Sequence, residues 1–329
     1  SEVVALYQEA VRRGALIDST APLKDAPFET LFVSRHEGKT RATMKIQEGC
    51  DRYCAYCVIP YVRGPVRSMP LEALRAEARR LAESGYREIV LTGIHLASYG
   101  RGMDETLLDA IRAVQETPGV MRIRLGSLEP KVVTEEFARE LSGFDKLCPQ
   151  FHLSLQSGSD GVLKRMHRRY TADEYRQAAD TLRAYFENPA ITTDVIAGFP
   201  GETDEEHAET EAFLRKIGFA RIHVFPYSRR SGTVADRLPG QVPEEVKKIR
   251  ANKLIEIGNQ LEIAYVQSLK GAEKEVLFET ASPDGGAEGY TREYVRVRAD
   301  ARPGEIRRVR IGETQGTLAV GTILSEERR

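Results

Sequence analysis

Four cysteines in 329 residues are too few for a disulfide framework to hold a chain of this size. Net charge is also nearly absent: 48 basic against 49 acidic residues leave a formal charge of −1. A global basic field for nucleic acid is therefore excluded, and any such contact must come from a local patch. No run of about 18 apolar residues occurs, so no segment reads as a membrane span. The opening Ser1-Glu-Val-Val-Ala-Leu6 lacks the basic stretch and long apolar core of a signal peptide. A reducing, cytoplasmic compartment is the expectation. Low-complexity tracts are missing, and no repeat is visible beyond a strand–helix alternation. What remains, 41% hydrophobic and 29% charged residues, suits a globular protein with one large and one small domain.

Three of the cysteines are spent on eight residues, Cys50-Asp-Arg-Tyr-Cys54-Ala-Tyr-Cys57. Three thiolates can hold an iron–sulfur cluster by three corners and leave one iron open to a ligand, whereas four thiolates close it. Structural zinc with a histidine as fourth ligand is the competing reading. No histidine stands within ten residues of the loop on either side. Cys148, the only other cysteine, reads as a small buried hydrophobe.

Residues 3–13 read as a helix and 15–40 as a poorly patterned connector. Strands are then expected at 42–46, 87–92, 121–125, 151–155, 191–196 and 220–225. Helices fall between them: one carries Leu71, Leu74, Ala78 and Leu81 and ends at Gly85, and others span 105–115, 134–142, 172–186 and 204–217. Six strands alternating with helices are the pattern of a parallel α/β sheet curled into a partial (βα)6 barrel. A closed eight-unit barrel needs about 250 residues, more than 41–230 supplies. A long helix over 243–268 follows. Strands at 275–278, 294–297, 307–311 and 317–320 then suggest a small all-β barrel. The division is thus 1–40 as linker, 41–268 as core and 269–329 as the small barrel.

In such barrels functional residues sit at the C-terminal strand ends. Gly93 there permits close backbone approach to a ligand, or simply makes a turn. Gln156 offers a donor and an acceptor, or serves as a structural amide. Arg168 and Arg169 follow, and arginine takes carboxylate or phosphate in paired hydrogen bonds; Arg169 is the cofactor-binding candidate, with a solvated basic turn as the alternative. His95 and Glu129 sit at strand ends without a catalytic assignment. In the last segment, residues 291–310 carry seven arginines against three acidic residues. Arg292, Arg296 and Arg298 with Tyr294 make a candidate RNA surface, where phosphates give affinity and bases stack. A solvated arginine face is the alternative.

The spacing Cys-x3-Cys-x2-Cys after a first strand resembles the radical S-adenosylmethionine (SAM) superfamily. That resemblance implies a 4Fe-4S cluster on Cys50, Cys54 and Cys57, whose open iron takes the amino and carboxylate groups of SAM. One electron then breaks the sulfonium bond and gives a 5′-deoxyadenosyl radical. It further implies Tyr56 near the adenine of SAM, with loop packing as the rival role, and Asp194 in the cofactor region, with packing within the strand as its rival role. Residues 45–68, His152-Leu-Ser-Leu-Gln-Ser-Gly-Ser159 and Thr193-Asp-Val-Ile-Ala-Gly-Phe-Pro-Gly-Glu-Thr203 look like the methylthiotransferase branch. The small barrel resembles that branch's RNA-binding TRAM domain. Leu91-Thr-Gly-Ile-His-Leu96, Met166-His-Arg-Arg-Tyr-Thr171 and His223-Val-Phe-Pro-Tyr-Ser228 are similar to the group acting on threonylcarbamoyladenosine in tRNA. The adjacent substrates are isopentenyladenosine in tRNA and a ribosomal protein, and a zinc-bearing RNA-binding protein is the rival of another class. Met69 departs from the arginine expected in an Arg-Ser-Arg-Pro run. The resemblance implies tRNA as partner, an electron donor such as a flavodoxin system, and no membrane. It also implies a further N-terminal domain with a second 4Fe-4S cluster, so the chain is expected to be a fragment, able to cleave SAM without completing sulfur insertion.

Overall fold

The structure, a computed structural model, describes residues 2–17, 27–29, 40–283 and 285–324. The expected connector over 15–40 lies largely outside the described residues. After helix α1 (Glu2–Arg13) come β1 (Arg41–Glu48), the short helix α2 (Ile59–Arg63) and the edge strand β2 (Arg67–Ser68). Then follow α3 (Leu71–Glu83), β3 (Glu88–Gly93), α4 (Leu107–Gln115), β4 (Arg122–Leu125), α5 (Glu135–Ser142) and β5 (Gln150–His152). Helices α6 (Asp160–Arg165) and α7 (Ala172–Tyr185), strand β6 (Ala190–Ala197), helix α8 (Asp204–Ile217) and strand β7 (Arg221–Pro226) complete the repeat. Helix α9 (Glu244–Ser268) leads into β8 (Glu273–Ala281), β9 (Ala287–Thr291), β10 (Arg296–Ala299), β11 (Ile306–Gln315) and β12 (Leu318–Ile323).

Strands β1, β3 and β4 pair in parallel, with β2 antiparallel at the outer edge, and β5, β6 and β7 form a second parallel set. Parallel bridges Ile123–Leu147 and Leu128–Leu153 stitch β4 to the β5 segment. The six strands thus stand side by side in sequence order, an incomplete barrel with β2 and β7 at its edges. Apolar residues of the outer sheet face, such as Ile89, Leu91, Ile123 and Ile191, pack against helix residues such as Leu74, Ile111 and Leu182. Local chemistry sets the helix starts. Thr106 with Asp109, Thr171 with Glu174, and Thr203 with Glu206 form reciprocal capping boxes that satisfy end N–H groups. Helix α9 covers the β7 edge so closely that a methyl added at Gly258 would stand 3.3 Å from Ile222 Cβ.

The C-terminal barrel is closed by five strands in the order β10-β12-β11-β8-β9, one more than expected. The additional strand is β9. Its Gly289 obscures the strand pattern, yet any side chain there would collide with the Leu277 carbonyl. The expected strand at 294–297 begins only at Arg296, because Tyr294 turns the chain at φ 70°. Helix α6 was also unmarked by any apolar period, being only six residues long.

The small barrel docks under the N-terminal end of the half-barrel through polar groups. Glu88 is 1% exposed and accepts from Arg124 Nε at 2.9 Å, with Arg122 Nη1 at 3.6 Å. Arg122 Nε reaches Glu275 of β8 at 2.7 Å, and its Nη1 donates to the Tyr290 carbonyl at 3.1 Å. Arg124 Nη1 donates to the Arg292 carbonyl at 3.0 Å. Tyr290 and Tyr294 stack with centroids 4.6 Å apart, and the guanidinium groups of Arg41 and Arg124 lie 4.9 and 4.7 Å from the Tyr294 ring. Both arginines are held firmly protonated: burial opposes charge, but Tyr294, Glu279 and Glu88 around Arg41, and Cys148, Glu88 and Tyr294 around Arg124, outweigh it.

Candidate active site

The cysteine loop runs from the C-terminal end of β1 across the mouth of the half-barrel. Gly49 opens it at φ 72°, and a Cβ there would lie 1.8 Å from the Pro65 carbonyl oxygen, so only glycine fits. Cys50 N–H donates to the Gly64 carbonyl, Cys57 N–H to the Cys54 carbonyl, and Ala55 N–H to the Met166 carbonyl. These bonds tie the loop to itself and to the end of α6. Tyr53 takes the left-handed conformation at φ 50°. All three loop cysteines are free thiols of intermediate exposure, while Cys148 is buried. Burial pushes the Cys50 and Cys57 thiols up, and neighbouring thiols add to the effect.

Three thiols on one loop, with no fourth protein ligand from it, match the donor set of an open-site iron–sulfur cluster. Among the described residues no three His, Cys, Asp or Glu groups form a ready-made site for a single metal ion. Arg168 Nη1 stands 3.3 Å from Cys54 Sγ, and its Nε donates to the Tyr170 hydroxyl at 2.8 Å. Burial disfavours its charge, yet Tyr170, Tyr56 and Cys54 together raise its pKa. The arginine brought to the cysteines is thus Arg168. Arg169, the candidate singled out from sequence, is exposed, and with Arg168 it lines an open groove of about 360 Å³ beside Asp160, Lys164 and Glu174. Of the two, Arg168 has the hydrogen bond to a cysteine sulfur, which sequence alone does not resolve.

The other candidates separate in the same way. Tyr56 is half-buried and meets Phe199 edge-on at 6.4 Å, in an apolar cluster with Tyr227 and Ile196. Gly93 owes its lack of a side chain to a neighbour: a Cβ would lie 2.7 Å from Gln47 Cβ. Gln47 in turn accepts from His95 N–H at 2.7 Å and donates to the Glu48 and Gly49 carbonyls. Gln156 is 8% exposed at φ 73°, and its side-chain amide makes no hydrogen bond among the described residues. A left-handed, non-glycine residue costs about 1–3 kcal/mol and is typical of binding sites. Glu202 accepts from Gly198 and Phe199 N–H and pairs with Arg250 at 3.1 Å, so the Gly-Phe-Pro-Gly-Glu turn is held by its own glutamate.

His95 and Glu129 prove to be neighbours. His95 Nε2 lies 3.2 Å from Glu129 Oε2, and Arg52 Nη2 lies 2.8 Å from the same oxygen. Burial alone would raise the Glu129 pKa, but His95, Arg52 and Arg168 bring it below the usual value. Deeper in the lumen, Asp194 projects from the middle of β6, below the mouth. His152 Nε2 stands 3.3 Å from its Oδ2, and the His152 and His223 rings are 6.1 Å apart. Burial lowers the His223 pKa, with Asp194 opposing.

The expected RNA surface is divided, and two of its members turn inward. Arg292 donates to the Leu147 carbonyl at 2.8 Å and to the Asp145 carbonyl, and Tyr294 is sandwiched against Tyr290 beneath Arg41 and Arg124. Both are spent on docking the small barrel, because the turn at Tyr294 points them at the core. Arg296 remains outward and exposed, 3.8 Å from Glu288, and Arg298, two residues on along the same strand, is of intermediate exposure. Arg308 and Arg310 on β11, each salt-bridged to Glu273, are 72% and 59% exposed and were not singled out by sequence.

A parallel half-barrel carrying a three-cysteine loop at its mouth defines the radical SAM class. Residues 44–214 match the Radical SAM superfamily model, and the chain belongs to that superfamily. Its similarity runs further to proteins named threonylcarbamoyladenosine tRNA methylthiotransferase. The one from Thermotoga maritima is 39% identical over 277 residues, covering 84% of this chain and 64% of that protein. The one from Bacillus subtilis is 40% identical over 281 residues, covering 84% and 62%. A tRNA-2-methylthio-N(6)-dimethylallyladenosine synthase of Thermoanaerobacter is 37% identical over 279 residues, covering 84% and 59%. The chain therefore spans somewhat under two thirds of the length of these relatives. Among solved structures, a radical SAM methyltransferase of Kitasatospora setae shares the fold at TM-score 0.51 and 19% identity, covering 59% of this chain and 38% of that one.

Proposed function

We propose that this chain is the catalytic core and RNA-binding barrel of a radical SAM tRNA methylthiotransferase, whose substrate is threonylcarbamoyladenosine next to the anticodon. The observation that carries the reading is the cysteine loop at the mouth of the half-barrel, with Arg168 set against Cys54 Sγ at 3.3 Å. Cys50, Cys54 and Cys57 would hold a 4Fe-4S cluster. When bound, such a cluster would supply the electron for radical chemistry on SAM.

The chain's own residues bind and orient. Gln156, with its unpartnered amide, and Arg168 are suited to the polar groups of SAM, and Tyr56 with Phe199 forms an apolar wall beside them. Gly93 shapes the floor through Gln47 and His95. Arg52 and His95 keep Glu129 ionised at the rim. Arg296, Arg298, Arg308 and Arg310 present positive charge for RNA phosphates. Threonylcarbamoyl rather than isopentenyl specificity rests on the strand-end segments 91–96, 166–171 and 223–228 and on the relatives' names. Sulfur insertion belongs to the longer protein, with a second 4Fe-4S cluster on its N-terminal domain. A cytoplasmic setting and an electron donor such as a flavodoxin system complete the proposal, and no helix among the described residues is long and apolar enough to cross a membrane.

Electron paramagnetic resonance of the anaerobically reconstituted, dithionite-reduced chain tests the core of this reading. A four-iron signal that changes on adding SAM supports it, and a signal indifferent to SAM refutes it. Mass spectrometry of tRNA from a deletion strain tests the substrate: the methylthio group should vanish from threonylcarbamoyladenosine alone.

A further inference from the structure

A continuous line of polar contacts runs through the lumen from the docked small barrel to Asp194. Arg124 Nη1, which also holds the Arg292 carbonyl, donates to Gln150 Oε1 at 3.3 Å. Gln150 Nε2 donates to Thr192 Oγ1 at 3.2 Å. Thr192 Oγ1 lies 3.1 Å from His152 Nδ1, and His152 Nε2 lies 3.3 Å from Asp194 Oδ2.

The direction of the first links follows from the arginine. A guanidinium only donates, so the carbonyl oxygen of Gln150 must face Arg124 and its NH2 must face Thr192. The Thr192 oxygen then accepts from Gln150 and meets His152 Nδ1 with its remaining hydrogen or lone pair. The always-charged arginine at one end thereby fixes the Gln150 amide against Thr192, and His152 stands between Thr192 and Asp194.

Asp194 is left with one oxygen engaged and one toward the lumen. Its side chain is 34% exposed, and no donor hydrogen-bonds to the second oxygen among the described residues. A carboxylate only accepts, so its complement is an N–H donor. Asp194 lies two residues below Ile196, which packs with Tyr56, and a strand rises about 3.3 Å per residue. The free oxygen is therefore about 7 Å beneath the mouth tier, at the depth of a substrate group rather than of the cysteine loop. The lining at this level is polar: Ser127 and Ser154 share a hydrogen bond of 2.7 Å, and Thr192, His152 and His223 complete it. A carbamoyl group offers this acceptor an N–H that a saturated or alkenyl substituent lacks.

We propose that Asp194, reached by the Arg124–Gln150–Thr192–His152 line, accepts hydrogen bonds from N6–H and the neighbouring carbamoyl N–H of the target adenosine and favours a carbamoyl over an alkyl substituent. Asp194 is then a substrate contact, and Thr192 and His152 are positioning residues. The inference rests on the tRNA reading above and reassigns Asp194 from the cofactor to the base.

The test uses the full chain, reconstituted with iron and sulfide, and a synthetic anticodon stem-loop carrying N6-threonylcarbamoyladenosine. Asp194→Asn should weaken stem-loop binding about tenfold or more, the scale of a charged hydrogen bond, with SAM affinity unchanged. Thr192→Val should weaken it less and shift the His152 Nδ1 resonance in 15N-histidine NMR, and Thr192→Ser should restore both. Loss of SAM affinity with stem-loop affinity intact in Asp194→Asn would overturn the assignment. An unchanged His152 Nδ1 resonance in Thr192→Val would overturn the chain. Failure of the wild-type protein to bind any stem-loop would refute the tRNA reading and the role of Asp194 together, while the NMR still decides the chain.

Discussion

Glu88→Gln isolates what holds the small barrel to the catalytic one. Glu88 is 1% exposed, lies 2.9 Å from Arg124 Nε and 3.6 Å from Arg122 Nη1, and is the carboxylate shared by both guanidinium groups. Neutralising it leaves two buried cations with less compensation, and breaking a buried pair costs about 3–5 kcal/mol. Arg122 keeps Glu275 at 2.7 Å, so the lower end of that range, about 3 kcal/mol, is expected. At roughly 2–4 °C per kcal/mol, the midpoint of thermal unfolding should fall by about 6–12 °C. The pH profile carries the sharper signature. Burial alone would raise the Glu88 pKa, but Arg124, Arg122 and Arg41 hold it below its ordinary 4.5. A depressed carboxylate pKa gives stability that is present above the ordinary value and lost as pH falls through the folded value. The gap between wild type and variant should therefore be full at neutral pH and close progressively in acid below about pH 4.5. Urea titrations of both proteins across pH 3–7 measure it. A gap below about 1 kcal/mol at pH 7, or one that widens in acid, would refute the view of Glu88 as a paired buried anion.

Other substitutions separate the roles assigned above. Gly49→Ala forces a Cβ to within 1.8 Å of the Pro65 oxygen at φ 72°, so iron content after reconstitution should fall sharply while circular dichroism is preserved; normal iron loading would contradict the loop geometry. Arg168→Met should lower SAM affinity about tenfold by equilibrium dialysis, and Arg169→Met should not; the reverse pattern would return the role to the residue favoured from sequence. Tyr294→Leu removes two cation–π contacts and should destabilise the small barrel's docking by about 1–4 kcal/mol, read as earlier proteolytic release of that barrel. Arg308→Glu with Arg310→Glu should weaken tRNA binding and lower the salt dependence by about two phosphate contacts, whereas Arg292→Ala should alter docking instead.

What could be read from the sequence and what could not divides along one line. Periodicity reports which face of an element is buried, and the half-barrel helices and strands have strong periods, so the six units and the cysteine loop were legible. Ala287–Thr291 was not, because its glycine contributes no apolar signal while its backbone approach to Leu277 is what makes it a strand. Arg292 and Tyr294 failed for a related reason. Basic and aromatic residues on a small barrel have the same composition whether they face RNA or a neighbouring domain, and only the turn at Tyr294 decides between them. The lumen chain is the clearest case. Arg124, Gln150, His152, Thr192 and Asp194 come from three strands whose alternation places them on the inner face, and nothing in their separate neighbourhoods predicts contact. Barrel closure turns an even-spaced polar residue on each strand into a continuous path. In a parallel strand buried on both faces, a polar residue is costly unless paired. Glu88, Arg122 and Gln150 on adjacent strands were thus a signal available before any fold was known: buried-strand polarity recurring at one level marks a lined interior.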